Sequence, residues 1–273
     1  MAGRFQDKVA FITGGSSGIG AELGKVFASQ GAKVVLTARR KTKLAAVRSE
    51  IKAAGGECLT IQADVCDRAS LDAAVAETVE QFGGIDIVVA NAGFGVSGLV
   101  SDLTTEDFRR QFDTNFFGVV DTLYATLPYL RERRGRFAII GSVAGRIGMP
   151  RSGVYTASKF AVCGLAESLY HELDDQGVSV TLVNPGFVKT EIHQVDNKGV
   201  YRSDRKGVNP ELLTMPADKA ARAIAHAIYK RKSEVMITNH AKAFVFLARH
   251  CPMTLRTLAR LGTKGKLKPR AAR

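Results

Sequence analysis

Short apolar runs alternate with segments of helical period along most of this chain, and that alternation restricts the fold more than any single motif does. The runs have the length and composition of buried strands, and they cover residues 8–13, 33–38, 58–63, 85–90, 136–141, 179–183 and 234–238. The helices predicted between them cover residues 21–30, 44–54, 70–82, 105–129, 155–173 and 217–229. This spacing predicts an α/β fold with a doubly wound, mostly parallel, seven-stranded sheet that carries helices on both faces.

The chain has 273 residues, of which 45% are hydrophobic, and this is enough to bury the core of one α/β domain. We predict that the domain spans residues 1–239 and that residues 240–273 form an extension. Residues 1–8 are polar, with no apolar run of a secretory signal behind them, and no run approaches the ~18 apolar residues of a membrane span. The chain is therefore expected to be cytoplasmic.

The cysteines and histidines are scattered along the chain. The four cysteines form no CxxC pair, and the five histidines are equally dispersed. Reduced thiols and no bound metal are the expectation.

The formal net charge of +13 is concentrated at the end of the chain. Residues 240–273 hold nine Lys or Arg and no Asp or Glu, whereas the remainder holds 30 basic and 26 acidic residues. The body is therefore mildly basic, and the excess charge belongs to the extension.

Apolar residues recur at helical spacing in the same extension. Phe244 and Leu247 belong to one stripe, and Leu255 and Leu258 to another after the break at Pro252. This pattern is typical of a helix on an anionic membrane surface, so residues 241–273 are a candidate for peripheral membrane contact. A helix packed on the body, or on a second copy, fits the pattern equally well. Nucleic acid comes third, because the extension lacks interleaved aromatic residues.

A glycine-rich turn joins the first predicted strand to the first predicted helix. Glycines let a backbone come close to a pyrophosphate, and the amides at the following helix N-terminus supply donors. The spacing is neither a strict GxGxxG nor a P-loop, so taken alone it fits a tight turn as well as a phosphate cradle. The residues of the cradle would be Gly14, Ser16, Ser17, Gly18, Ile19 and Gly20.

Two arginines follow the second predicted strand. In a dinucleotide fold the residue that closes this strand meets the adenosine ribose, where an acid selects the 2'-hydroxyl and an arginine accommodates a 2'-phosphate. Here Arg39 and Arg40 follow Ala38, and no acid is present. This favours NADP(H) over NAD(H), although a solvated basic turn would look the same.

A phenol and an ammonium lie four residues apart at the start of the predicted helix 155–173, so Tyr155 and Lys159 share one face. The unperturbed pKa of tyrosine is ~10, and a fixed cation nearby lowers it, so Tyr155 can exchange a proton near neutral pH. An ordinary helix with one Tyr and one Lys has the same spacing. The pair therefore indicates a proton-transfer site only in combination with the other motifs of the chain.

Small and polar residues follow the predicted strands at the edge where a ligand of such a sheet would bind. Serine after a strand is often only a turn residue, and asparagine within a helix often only a surface residue. The residues of this edge are Asp64, Val65, Asn91, Ala92, Gly93, Ser142, Pro185 and Gly186, and Asn115 lies inside the predicted helix 105–129.

Taken together and in this order, these motifs resemble the short-chain dehydrogenase/reductase family in its single-domain branch, from Lys8 to about Ile192. The resemblance implies a Rossmann-type fold. It rests on TGGSSGIG at 13–20, Asp64, NAG at 91–93, Asn115, Ser142, YTASK at 155–159 and PG at 185–186.

The resemblance also implies roles for the matched residues. Tyr155 would be the general acid in ketone reduction and the base in alcohol oxidation, with Lys159 lowering its pKa and binding the nicotinamide ribose. Ser142 would bind the substrate oxygen, and Asn115 would hold a water that links Lys159 to solvent. Thr190 would hold the carboxamide. Further cofactor contacts are expected from Asp64 and Val65 at the adenine, and from Asn91, Ala92, Gly93, Pro185, Gly186 and Val188.

The implied activity is NADPH-dependent reduction of a carbonyl. Many NADP-preferring members carry a basic residue in the glycine loop, where this chain has Ser16 and Ser17, so the preference rests on the two arginines. Alternatives are a 3-oxoacyl thioester reductase and a non-enzymatic, cofactor-binding protein of the membrane surface. Family habit suggests a homodimer or homotetramer through helices 105–129 and 159–173.

Substrate contacts are expected from residues 94–99, 146–149 and 187–215. The polar, glycine-punctuated stretch 194–209 has the composition of a lid. Its apolar neighbours predict a lipophilic ketone or secondary alcohol, such as a steroid, a sphingoid base or a fatty chain, with Arg146 as the one residue suited to a carboxylate.

Overall fold

The computed structural model describes residues 3–205 and 211–263. The basic residues from Lys264 onward, and the end of the predicted lid, lie outside these ranges. The strands are β1 (Val9–Thr13), β2 (Lys33–Ala38), β3 (Glu57–Gln62), β4 (Ile87–Ala90), β5 (Arg136–Ile140), β6 (Ser179–Pro185) and β7 (Glu234–Ile237). The helices are α1 (Gly18–Ser29), α2 (Lys41–Ala53), α3 (Arg68–Phe82), α4 (Thr105–Phe112), α5 (Gly118–Arg133), α6 (Gly153–Asp174), α7 (Ala217–Tyr229), α8 (Asn239–His250) and α9 (Pro252–Thr263).

The seven strands form one sheet in the order β3-β2-β1-β4-β5-β6-β7. Within the described ranges every pairing of neighbouring strands is parallel, which confirms the predicted Rossmann-type sheet. The direction of winding reverses between β1 and β4, which are neighbours in the sheet but not in the chain. Such a reversal opens a crevice at the carboxyl ends of the strands, where open α/β sheets bind their ligands.

Two hydrophobic cores cover the two faces of the sheet. On one face α1, α2 and α7 pack through residues such as Phe27, Leu44 and Ile224. On the other face α3, α5 and α6 pack through residues such as Leu71 and Val162. Burial on both faces explains why the strands are almost continuously apolar instead of alternating.

The helix predicted over residues 105–129 is interrupted. It begins at a capping box, in which the Thr104 hydroxyl accepts from the Asp107 amide and the Asp107 carboxylate accepts from the Thr104 amide. It passes through a π-helical turn at Asp113–Phe117 before α5 continues to Arg133. The extra residue of the π turn lies where Asn115 faces the core, and such turns are frequent at functional sites.

The extension forms two helices. α8 starts directly after β7, and its Ala241 is buried against the body. Phe244 and Leu247 of the predicted stripe are exposed, 47% and 45% accessible. Among the helices of the described ranges, none combines the length and the apolar character that a bilayer crossing requires.

Candidate active site

The glycine-rich turn runs so close to the end of β4 that side chains would not fit. Gly14 has a φ of +66°, and a Cβ there would lie 2.8 Å from the Ala92 Cα. A Cβ on Gly20 would lie 2.5 Å from Nδ2 of Asn91. Ser17, which precedes α1, makes no side-chain cap on that helix. The amides at the start of α1 are therefore not covered by a capping side chain, and the turn fits a pyrophosphate.

Thr13 and Asn91 tie β1 to β4 across the point where the winding reverses. The Thr13 hydroxyl accepts from the amides of Asn91 and Ala92, each at 3.1 Å, and Nδ2 of Asn91 donates to the Thr13 carbonyl at 2.8 Å and the Gly14 carbonyl at 3.2 Å. Asn91 therefore shapes the cradle, so its side chain supports the loop instead of pointing at a ligand.

Tyr155 and Ser142 come together from the start of α6 and the end of β5. Burial raises the pKa of the Tyr155 phenol, and a hydrogen bond with the Ser142 side chain opposes that rise without cancelling it. The predicted depression of this pKa is therefore absent in this arrangement, and the phenol is protonated at neutral pH.

The Lys159 ammonium lies 5.9 Å from the centroid of the Tyr155 ring and donates to the Ile140 carbonyl at 2.7 Å. In this arrangement the ammonium is bonded to that carbonyl, while burial and the Ser142 hydrogen bond act on the pKa of the phenol. Burial lowers the pKa of Lys159 itself to about 8. Lys159 is 5% exposed, so the fold keeps a cation almost fully out of water beside the phenol.

Asn115 is fully buried, and its side chain is used by the protein. Its Oδ1 accepts from the Phe94 amide at 3.1 Å, while Nδ2 donates to the Phe94 carbonyl at 3.1 Å and to Oγ of Ser158 at 3.2 Å. These bonds link the π turn to α6 one residue before Lys159. The role given to Asn115 by the family, holding a water, stays a prediction.

Asn184 is a positioning residue that the sequence reasoning missed. Its Oδ1 accepts from the Ser142 amide at 3.1 Å, and its Nδ2 donates to Glu234 at 2.7 Å. Its place beside Pro185 at the end of a strand was visible in the sequence, but the partner across 42 residues was not. Asn184 therefore fixes the backbone of Ser142, while the Ser142 hydroxyl accepts from the Ala144 amide at 3.1 Å.

The remaining predicted cofactor residues lie around the same crevice. Val188 is buried, and Thr190 lies beside Gly18, where a Cβ would be 3.1 Å from the threonine methyl. Val65 packs against Gly118. Asp64 lies 3.9 Å from Arg39.

Arg40 reaches back to the glycine loop. Its guanidinium donates to Oγ of Ser17 at 2.8 Å and of Ser16 at 3.2 Å. The more exposed Arg39 donates to the Gly199 carbonyl at 3.0 Å. Both arginines therefore stand at the end of β2, next to the loop that would hold the phosphates of a dinucleotide.

The predicted substrate segments are only partly available to a ligand. Phe94 and Val96 are buried in a small cluster with Val154. Arg146 is held by Glu167 at 2.6 Å and Glu234 at 3.1 Å, so its charge is already compensated. Its suggested use for a carboxylate substrate is therefore not favoured by this structure.

Residues 8–200 match the short chain dehydrogenase family. The uncharacterized oxidoreductase YxnA of Bacillus subtilis (strain 168) is 32% identical over 248 residues, which are 89% of this chain and 69% of that protein. An 11-beta-hydroxysteroid dehydrogenase of Pinus massoniana is 36% identical over 189 residues, which are 68% of this chain and 53% of that protein, so the chain spans about half of this relative.

Two solved structures are similar over most of the chain. A short-chain dehydrogenase/reductase from Burkholderia phymatum in complex with NAD has a TM-score of 0.82 at 29% identity and covers 93% of this chain and 96% of its own. An alcohol dehydrogenase from the archaeon Thermococcus sibiricus, complexed with 5-hydroxy-NADP, has a TM-score of 0.73 at 27% identity and covers 85% and 96%.

The chain is thus an oxidoreductase of the class that acts on CH–OH groups with a nicotinamide cofactor. It belongs to the short-chain dehydrogenase/reductase family.

Replacing Lys159 with methionine is expected to raise the free energy of unfolding at neutral pH by on the order of 2 kcal/mol. The folded pKa of about 8 lies below the ordinary value of 10.5, so burial penalises the ammonium, and loss of the bond to Ile140 offsets only part of the gain. The advantage should shrink as the pH rises from about 8 toward about 10, because the buried lysine then loses its proton before the unfolded one does.

Urea unfolding followed by circular dichroism at several pH values measures this difference. Lys52→Met, which removes an exposed lysine from α2, is the control with which the pH dependence is compared. A constant gap between wild type and Lys159→Met across that range would contradict the prediction.

Proposed function

We propose that this enzyme reduces a lipophilic ketone to a secondary alcohol, reversibly, with NADPH as the hydride donor and Tyr155 as the proton donor. The observation that carries the proposal is the meeting of Tyr155, Ser142 and Lys159 at the carboxyl edge of the sheet, beside a loop that fits a pyrophosphate. The bound nicotinamide supplies the hydride. The residues of the chain supply the proton and the stabilisation of charge.

The proton chemistry follows from the environment of the phenol. A raised pKa keeps Tyr155 protonated at neutral pH, as a proton donor for the reduction must be. The Ser142 hydroxyl, whose backbone is held by Asn184, would donate to the ketone oxygen as negative charge develops there. To stabilise the phenolate that forms, the Lys159 ammonium would have to turn from the Ile140 carbonyl toward the phenol oxygen.

A lipophilic substrate is supported by several features. One relative is named as a hydroxysteroid dehydrogenase. Exposed apolar side chains stand on the segments predicted to contact substrate, with Met149 43% and Leu213 41% accessible. Arg146 is already paired with Glu167 and Glu234, so it is a poor partner for an acidic substrate. The alternative of a 3-oxoacyl thioester is supported only by the basic extension, which would attract a phosphorylated carrier.

Substituting Tyr155 by phenylalanine is expected to lower kcat for ketone reduction by roughly 10²- to 10⁴-fold, because the ring stays and the proton is removed. NADPH oxidation across a panel of lipophilic and small polar ketones measures this, together with NADPH affinity, which should stay close to the wild type. Tyr170→Phe, an exposed tyrosine on the same helix, is the control and should keep full activity. Faster turnover of the polar ketones would contradict the substrate class, and tight NADPH binding without turnover would favour the non-enzymatic alternative.

The preference for NADPH is supported by Arg39 and Arg40 at the end of β2 and by Lys43 on the first turn of α2. Arg40→Ala is expected to lower kcat/KM with NADPH by about 10- to 100-fold, because the variant loses a charge-assisted hydrogen bond to the 2'-phosphate. The value of kcat/KM with NADH should stay nearly unchanged, because NADH carries no 2'-phosphate. Arg48→Ala removes an exposed charge from the same helix and is the control. Equal or better use of NADH by the wild type contradicts the preference.

The surface of the extension supports a second part of the proposal, contact with an anionic bilayer. Phe246 and Met253 are 62% and 69% accessible, and residues 240–273 are basic without a single acid. Nε2 of His240 accepts from the Phe187 amide at 3.3 Å and lies 3.1 Å from the Thr238 hydroxyl, and these contacts anchor α8 at the edge of the sheet that carries the site. A bilayer at this surface would lie beside the entrance for a lipophilic substrate.

Phe246→Asp is expected to reduce binding to vesicles several-fold, because an apolar contact is lost and an anionic charge is added. Flotation with phosphatidylserine-containing vesicles, compared with phosphatidylcholine alone, measures it. Val100→Asp, which changes an exposed apolar residue elsewhere on the body, is the control. If the wild type does not float with the anionic vesicles, the membrane contact is rejected.

The pairing of copies stays a prediction. It is supported by aromatic side chains exposed on α5 and α6, such as Tyr124 and Phe160.

A further inference from the structure

Glu191 places a carboxylate between the two cations that stand nearest to the glycine loop. It begins a short 3-10 turn directly after Thr190. Its Oε2 accepts from Arg40 at 2.9 Å, and its Oε1 accepts from Lys43 at 2.7 Å. One carboxylate from the far side of the crevice thus holds both Arg40 and Lys43.

The surroundings show a built cluster instead of a chance surface pair. The Arg40 guanidinium and the Lys43 ammonium both lie over the Tyr201 ring, 5.4 and 5.5 Å from its centroid. Burial opposes ionisation of Glu191, but the hydrogen bonds from Lys43 and Arg40 outweigh it and leave the pKa of the carboxyl below its ordinary value. Glu191 is therefore an anion at neutral pH.

The carboxylate cannot easily move away, because residues 191–202, which we call the lid segment, are bonded both within the segment and to the body. Val195 pairs with Tyr201 in an antiparallel bridge. Asn197 exchanges hydrogen bonds with the backbone of Ser97 at 3.1 and 2.9 Å and accepts from Arg110 at 3.0 Å. The lid segment therefore presents Glu191 to Arg40 and Lys43 from a fixed frame.

A guanidinium and an ammonium that share one carboxylate are a suitable pair of donors for a phosphate as well. Both anions need the same N–H groups, and placing them side by side brings like charges together. NADH has no 2'-phosphate, so it does not need the N–H groups of Arg40 and Lys43. Glu191 therefore acts differently on the two nicotinamide cofactors.

We propose that Glu191 is a specificity-determining residue, whose carboxylate competes with the 2'-phosphate of the cofactor for Arg40 and Lys43. The inference rests on the proposed use of NADPH and deepens it. Glu191 lowers the affinity for NADPH and leaves the affinity for NADH unchanged. The preference for NADPH over NADH is therefore smaller than Arg39, Arg40 and Lys43 would produce without this carboxylate.

Glu191→Gln keeps the size of the side chain and removes the competing charge. The dissociation constants of NADPH and NADH, measured by fluorescence titration of the full chain, are the readout, and they do not depend on turnover. The variant is expected to bind NADPH about tenfold more tightly and NADH within about twofold of the wild type. Weaker or unchanged NADPH binding in Glu191→Gln overturns the inference.

Asp196→Asn is the matched control. Asp196 accepts from the amides of Lys198 and Val200 and from Arg202 within the lid segment, so its loss loosens the segment while the Glu191 cluster keeps its charges. It should change the binding of both cofactors by the same factor. If Glu191→Gln also acts equally on both, the carboxylate serves only as a structural tie of the lid segment, and the inference is overturned.

The same titrations separate this inference from the proposed function. If the wild type prefers NADPH and Glu191→Gln does not bind NADPH more tightly, the inference is overturned and the proposed function stands. Equal binding of the two cofactors by wild type, Glu191→Gln and Arg40→Ala overturns both. A preference for NADPH that emerges only in Glu191→Gln supports the competition.

Discussion

The rest of the structure depends on the hydrogen bonds that join β1 to β4 where the sheet changes its direction of winding. At this point two strands from separate parts of the chain end side by side, and the hydroxyl of Thr13 and the amide of Asn91 lock them together. The glycine turn can then approach β4 without side chains between them. The crevice is thus a consequence of sheet order, and the residues around it are held by backbone groups.

Burying the polar groups of Lys159 and Tyr155 in this crevice lowers the stability of the fold. Lys159 is kept nearly dry, which lowers its pKa to about 8, and Tyr155 is held as a phenol by the same burial. Both groups would have a lower free energy if they were exposed to water. The Ile140 carbonyl at the end of β5 accepts a hydrogen bond from Lys159, and the Ser142 side chain is hydrogen-bonded to Tyr155. Asn184 holds the backbone of Ser142.

Charge is organised at the opposite end of the crevice. Arg40 is shared among the serines of the glycine loop, Glu191 and the ring of Tyr201, so a single side chain links the cofactor loop to the lid segment. Exposed ion pairs are worth little for stability. In the competition that we propose, this pairing decides which anion the cations hold.

Local pattern was sufficient to predict the strands, the glycine turn and the pair Tyr155 and Lys159, since strand and helix periods and short motifs are properties of neighbouring residues. Contacts across long separations were not predictable in this way. The π turn at Asn115, the bond from Asn184 to Ser142, the neutralised Arg146 and the carboxylate of Glu191 on Arg40 all join residues brought together by the sheet order. The sequence by itself determined which chemical groups stand at the edge of the sheet, whereas only the tertiary structure decided their partners and their charge, because burial and pairing exist only after folding.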